Sequence, residues 1–355
     1  MRFTFDALPA RVVFGAGCFS QLADEVDRLE ARAVLLVGSR GRGNLLARAK
    51  ELLGEKIAGT FDDAVMHVPA EVAERARNQA KTERADSIVC IGGGSAIGVA
   101  KAIAVTTGLP IVAIPTTYSG SEVTPIWGLT KAGIKETARD ARAHPRTVIY
   151  DPELTLKLPV AVSAASGMNS VAHCVEATYA PDGNPITGLM AEEGIRAMAS
   201  ALPSIVTAPE DLDTRTLALY GAWMGGTVLG MLQMGLHHKL CHTLGGSFGL
   251  PHAETHAVLL PYTAEYNAPA AVNAMSRVAG ALGAGDAAAG LFELGQRLPI
   301  PRSLAELGMG EDDLERAAEI AVEKPYPNPR PVTRDGVLSI LLKAFEGVRP
   351  GQDLA

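Results

Sequence analysis

The chain has 355 residues, 47% of them apolar, with 37 glycines, a net charge of −7 and no long uninterrupted apolar run. That length accommodates two domains of ordinary size, and the composition excludes a disordered chain. Dispersed basic residues on an acidic protein disfavour nucleic acid as a partner, and nothing approaches the roughly 18 apolar residues of a membrane span.

Short β-branched runs at 11–14, 33–38, 57–61, 87–91, 110–114 and 147–150 predict strands. Amphipathic helices such as 18–29 and 71–84 fall between them, the alternation of a doubly wound parallel sheet. After Asp151-Pro152 the pattern changes to long Ala/Leu/Met-rich helical segments, for example 213–241 and 312–322. The expected organisation is an α/β domain over 1–157 followed by an all-helical domain over 158–355. The run Lys324-Pro-Tyr-Pro-Asn-Pro-Arg-Pro331 predicts an extended connector. The N-terminal MRFTFDALPARVVFGAG carries no signal-peptide pattern, and Cys18, Cys90, Cys174 and Cys241 are scattered, so reduced thiols in the cytoplasm are expected.

Cys90-Ile-Gly-Gly-Gly-Ser95 follows a strand and precedes a helix. Glycines let backbone amides approach a pyrophosphate, and the helix start adds donors and a positive dipole end. By itself the segment also fits a plain strand-to-helix turn. Gly92, Gly94 and Gly98 give a spacing one residue longer than the usual dinucleotide fingerprint, and the loop follows a middle strand. The next strand ends in Pro115-Thr-Thr-Tyr-Ser-Gly-Ser-Glu122, where Thr116, Thr117 and Ser119 offer hydroxyls at the same edge. Ser39-Arg40-Gly41-Arg42 ends the second strand without an acidic residue to bind a ribose 2′-hydroxyl, so NADH and NADPH are both expected to be accepted.

Five of the eight histidines lie between His237 and His256. His238/His242, His252/His256 and Asn169/His173 have i,i+4 spacing, which puts each pair on one helical face. Imidazoles gathered in this way bind a divalent metal, move protons, or both. His67 and His144 read as core histidines, and His256 more readily as bonding across its own turn than as a direct participant. Met224, Met231 and Met234 read as core. Nothing marks Cys241 as a nucleophile.

The segments GGGSAIGVAKA, PTTYSGSEVTPIWGLT, YDPELTLKLP, SGMNSVAHCVEATYA, LHHKLCHTLGG and LPHAETHAVLLP occur in an order that resembles the iron-containing alcohol dehydrogenases, and within them the branch of maleylacetate reductases. The resemblance implies a fold like that of dehydroquinate synthase, with a nicotinamide held in a cleft between a Rossmann-like α/β domain and a helical substrate or catalytic domain. It implies a homodimer, and cofactor contacts at Gly93, Gly94, Ser95, Thr116, Thr117 and Lys135. It also implies reduction of the enone double bond of a small dicarboxylate, maleylacetate, to 3-oxoadipate in the degradation of aromatic compounds. The rival within the family is a metal-dependent alcohol or polyol dehydrogenase.

The family's metal ligands, one Asp and three His, fall on Asn169, His173, His238 and His252, and a further active-site histidine falls on His242. An amide at 169 removes the only formal negative charge from that set. No obligatory metal is therefore expected. His242, His238, His173 and His252 become the expected catalytic group. Asn169, His173, His237, His242 and Lys324 are the expected substrate contacts, with Lys239, Arg139 and Lys135 as further partners for the carboxylates.

Overall fold

The computed structural model describes every residue except 1, 2, 4, 6, 9, 10, 40, 42, 66, 67, 132, 133, 354 and 355, and the side chains of 134 and 135. His67, Arg40, Arg42 and the Lys135 side chain thus lie outside the described residues. The chain divides into two compact units, Ala7–Leu158 and a second that holds Pro159–Ala355.

In the first unit the strands are β1 (Arg11–Phe14), β2 (Val34–Val37), β3 (Ile57–Phe61), β4 (Ser87–Gly92), β5 (Ile111–Pro115), β6 (Ile126–Lys131), β7 (Ile134–Arg139) and β8 (Thr147–Tyr150). Six of them form a parallel sheet in the order β1-β8-β5-β4-β2-β3. Helices α1 (Leu22–Asp27), α2 (Gly43–Leu53), α3 (Ala70–Thr82) and α4 (Gly94–Thr107) separate the early strands. β2, β4, β5 and β8 are buried along their whole length, which is why they read as unbroken apolar runs. The six expected strands are all present. The antiparallel hairpin β6–β7 was not foreseen, because its half-exposed first strand mixes small, polar and apolar residues without a clean alternation.

The sheet order has a functional consequence. From β2 the chain moves outward to β3, then crosses back to place β4 on the other side of β2. The direction of winding reverses between β2 and β4, the point at which open α/β sheets form a crevice at their carboxyl ends. The glycine loop therefore lies at the switch point although it follows a middle strand in sequence.

The second unit is helical: α5 (Val160–Ala177), α6 (Pro185–Thr207), α7 (Leu212–Met231), α8 (Leu236–Phe248), α9 (His252–Asn267), α10 (Val272–Leu282), α11 (Ala287–Gln296), α12 (Asp313–Val322) and α13 (Arg334–Glu346). α5 is buried from Ser163 to Ala177 and packs against α6, α7 and α9. Gly225 lets α7 approach it closely, since a Cβ there would lie 2.2 Å from Ser170 Oγ. The helix expected over 213–241 is interrupted, with α7 ending at Met231 and α8 starting at Leu236. The connector after Lys324 is irregular, as its prolines require.

One buried cation organises the first unit. Lys101 on α4 is 1% exposed, and its Nζ shares its hydrogens among Ser121 O (2.6 Å), Thr124 O (2.8 Å), Thr124 Oγ1 (2.9 Å) and Ile126 O (2.7 Å), with Ser121 Oγ at 3.3 Å. It ties the helix after the glycine loop to the segment leading into β6. Lys101→Met would leave these acceptors buried without a donor, at a cost of about 3 kcal/mol. We expect the thermal midpoint to fall by roughly 6–12 °C; an unchanged midpoint would show the ammonium to be dispensable.

Candidate active site

The carboxyl ends of β4 and β5 carry the nucleotide features. Gly93 caps α4 with no side-chain bond, and the first turn holds no acidic residue, so its amides point outward without an internal acceptor. A Cβ at Gly93 would lie 2.9 Å from Thr117 Cγ2, whereas one at Gly94 would meet nothing within 4 Å. The first glycine admits close packing of two loops, and the second leaves open the space in front of the helix. Thr116 N donates to Gly92 O at 3.1 Å, joining the loops. The hydroxyls of Thr116, Thr117 and Ser119 are buried without hydrogen-bond partners. Unpaired hydroxyls beside an uncapped helix start suit a phosphate-bearing dinucleotide. Ser95 lies in the first turn of α4.

Ser39 lies just beyond β2 and forms a backbone bridge with Asp63 beyond β3. An acidic residue therefore does reach this edge, supplied by the neighbouring strand, where a reading along the chain cannot find it. Its carboxylate is paired with Arg75 at 2.5 Å.

In the helical unit, α5, α8 and α9 bring six imidazoles into one cluster. His173 stacks on His238 with ring centroids 5.1 Å apart, and His242 on His252 at 6.0 Å. His256 lies 4.5 Å from His252, 4.8 Å from His238 and 4.8 Å from His237 by the same measure. Exposure falls through the cluster. His242 is exposed, His252 half-buried, His173 and His238 buried, and His237 and His256 fully buried. Asn169 is buried on the same face of α5 as His173, with its Oδ1 unpartnered.

A residue not anticipated from sequence organises this cluster. Glu176, seven residues after Asn169 and three after His173, continues their face of α5 and is 1% exposed. Its carboxylate accepts from the amides of Gly235 (3.2 Å), His237 (2.9 Å) and His238 (3.3 Å), and from Nδ1 of His238. It thus caps the start of α8, which accounts for the break in the expected long helix. Burial pushes the Glu176 carboxyl up, but His238, His237 and the amide donors outweigh it and hold it below its ordinary value. The spacing from Asn169 was the available signal, hidden because a lone glutamate on a helix usually faces solvent.

The other partners follow. His238 gives its Nδ1 hydrogen to Glu176, so its Nε2 carries the lone pair, buried and unpartnered. His237 does not face outward: Nδ1 bonds Thr263 Oγ1 and Nε2 bonds His256 Nδ1, each at 3.0 Å. Both its nitrogens are engaged, which leaves none for the substrate contact expected of it. His256 bonds across to α8 through that same contact, not across its own turn. His144 is buried. Burial pushes the Cys241 thiol well above its usual range, which makes it a poor nucleophile. Lys324 is exposed and lines a surface cavity with Tyr326, Asn328 and Arg330; no contact joins it to the histidines among the described residues. Lys239 is half-buried on α8, and Arg139 is exposed.

The four positions that resemble a metal site offer three imidazoles and a neutral amide. Among the described residues, the His and Cys donor atoms that lie within 4.8 Å of one another are those of His237, Cys241 and His256. A divalent cation at 169, 173, 238 and 252 would lack an anionic ligand, and a neutral three-imidazole set holds one less firmly than a set that includes a carboxylate.

Burial and neighbouring imidazoles push His173 and His256 well below 6.5, and burial takes His237 to about 3. The unfolded chain binds protons on these side chains near pH 6.5 while the folded one does not. Their contribution to stability is full above that pH. For His237 it is lost as pH falls toward about 3, by about 1.4 kcal/mol per pH unit, and His173 and His256 act in the same direction. Thermal midpoints measured from about pH 7.5 to about pH 5 should decline steadily; a flat profile would contradict neutral burial.

Comparison with known proteins agrees with this architecture. The family model for iron-containing alcohol dehydrogenase matches residues 9–152, and that for the C-terminal part of the Fe-containing alcohol dehydrogenase family matches 163–345. The chain is 53% identical to the maleylacetate reductase of Burkholderia cepacia over 348 residues, 98% of this chain and 99% of that protein. It is 51% identical to that of Sphingobium indicum over 353 residues, 99% of each. The crystal structure of maleylacetate reductase from Agrobacterium tumefaciens superposes with a TM-score of 0.95 at 50% identity, covering 99% of this chain and 100% of that one. A putative alcohol dehydrogenase from Ralstonia eutropha superposes at 0.97 with 54% identity, covering 99% of each. With both halves matched by its models, the chain belongs to the iron-containing alcohol dehydrogenase family.

Proposed function

We propose that this chain is an oxidoreductase that reduces the enone carbon–carbon double bond of maleylacetate to 3-oxoadipate with NADH or NADPH, and that it needs no metal to do so. The observation that carries the reading is the histidine cluster itself. It has an amide at position 169, and among the described residues the buried carboxylate that touches it, Glu176, bonds the Nδ1 of His238. Near-full-length identity of about half to reductases of that name supports the substrate.

A bound reduced nicotinamide supplies hydride, which adds to the alkene carbon β to the ketone and leaves an enolate. The chain's residues handle charge and proton. Unpaired amides at the start of α4 and the hydroxyls of Thr116, Thr117 and Ser119 hold the dinucleotide phosphates and ribose. His238 is the imidazole backed by a carboxylate, so a proton on its Nε2 is stabilised by Glu176. It donates to the enolate oxygen or delivers the proton to carbon. His242, exposed at the rim of the cluster, exchanges protons with water and restores the charge on its neighbour. His173 and His256, held neutral, present hydrogen-bonding groups without adding charge. His252 continues the same wall.

One observation favours the rival reading, a metal-dependent alcohol dehydrogenase. A carboxylate on the far nitrogen of an imidazole is also how proteins orient metal-binding histidines. The two readings separate in one experiment. After exhaustive chelation the enzyme should oxidise NADH stoichiometrically with maleylacetate and not with simple alcohols' aldehydes. NADPH should serve within about a thousandfold, some 4 kcal/mol. Asn169→Asp should retain one more Fe²⁺ or Zn²⁺ per chain through gel filtration than the parent chain does. Activity lost on chelation and restored by iron or zinc would overturn the metal-free reading.

A further inference from the structure

The group that does gather metal donors is separate from the family positions. His237 and Cys241 are four residues apart on α8 and share a face, while His256 comes from α9. His237 Nε2 lies 3.0 Å from His256 Nδ1 and 3.7 Å from Cys241 Sγ, and all three side chains are 0% exposed. Tetrahedral zinc with ordinary bond lengths needs N···N of about 3.3 Å and N···S of about 3.6 Å. These two separations differ from the ideal by a few tenths of an ångström, and the third pair, His256 with Cys241, lies within 4.8 Å. We propose that His237, Cys241 and His256 form an inhibitory site for a soft or borderline divalent cation of the zinc class.

The hydrogen-bond chain states what such an ion would change. Thr263 Oγ1 has one hydrogen, which it donates to Leu260 O at 3.1 Å or to Leu259 O at 3.3 Å. It therefore accepts from His237 Nδ1, and His237 Nε2 in turn accepts from His256 Nδ1. His256 is left with a lone pair on Nε2, buried and unpartnered, beside His238 and His252. A cation takes the place of the hydrogen between the two rings. The Cys241 thiol loses one proton to solvent and becomes the anionic ligand. The His256 hydrogen moves from Nδ1 to Nε2, so the ring remains neutral. Occupancy thus converts His256 from an acceptor into a donor facing His238 and His252. The net charge of +1 from ion and thiolate is offset by Glu176, which is close enough to act electrostatically on Cys241. Because the ligands are fully buried, the ion enters only when α8 and α9 part locally, and binding is slow.

The binding stands apart from the maleylacetate reading; only its effect on turnover rests on that reading. The test adds Co²⁺ alone to the chelated full-length protein, with metal counted by elemental analysis. We expect about one Co²⁺ per chain, with a thiolate-to-cobalt charge-transfer band that develops slowly. Cys241→Ala should abolish the band, and so should Cys241→Ser, which keeps the side chain's size should the alanine variant not fold. His252→Ala should retain it. In parallel, preincubation with Zn²⁺ should slow NADH oxidation with maleylacetate, and Cys241→Ser should raise the half-inhibiting concentration about tenfold or more. Absence of the band, a band that survives at Cys241→Ala, or Co²⁺ lost with His252→Ala would each overturn the site. A preparation without turnover still reports the band, so failure of the substrate reading is distinguishable.

Discussion

An ionised carboxylate inside the helical unit sets the arrangement of everything around it. Glu176 is surrounded by three backbone amides at the start of α8 and by the ring of His238. A buried charge without such partners costs several kcal/mol, and one with all of them stays ionised. By fixing where α8 begins, it fixes the phase of that helix, and with it the directions of His237, His238, Cys241 and His242. By accepting the Nδ1 hydrogen of His238 it also settles which nitrogen faces the cluster.

Position 169 carries a neutral amide, and the buried carboxylate of Glu176 lies at the rear of the His238 imidazole. A carboxylate in direct contact with a cation stabilises the cation. A carboxylate behind an imidazole stabilises a proton on that imidazole. Burial keeps His173, His237 and His256 neutral, and His238 is the ring of the cluster that Glu176 touches. This division of labour suits a reaction that develops negative charge on an oxygen and ends with a proton delivered to carbon.

Much of this was readable from residues alone, for identifiable reasons. Strands buried on both faces announce themselves as apolar runs, so the parallel sheet was legible, whereas the half-exposed hairpin β6–β7 was not. The i,i+4 histidine pairs were legible because helical periodicity alone places both members on one face. Glu176 was not, although it shares the face of Asn169 and His173. Its meaning depends on amides 59–62 residues further along the chain. The same holds for the break after Met231, where Gln233-Met234-Gly235 contains no proline, and for His256, whose partner lies on another helix. Asp63 reaches Ser39 only through the adjacency of β2 and β3. Local periodicity is written in sequence; contacts between distant elements are not.

The most direct test replaces the Glu176 carboxylate by its uncharged isostere. In Glu176→Gln, with helical content verified by circular dichroism, kcat for maleylacetate reduction should fall about 10–100-fold while KM for NADH changes little. A folded Glu176→Gln enzyme with the parent's kcat would contradict the account, because the charge behind His238 would then have no part in the chemistry.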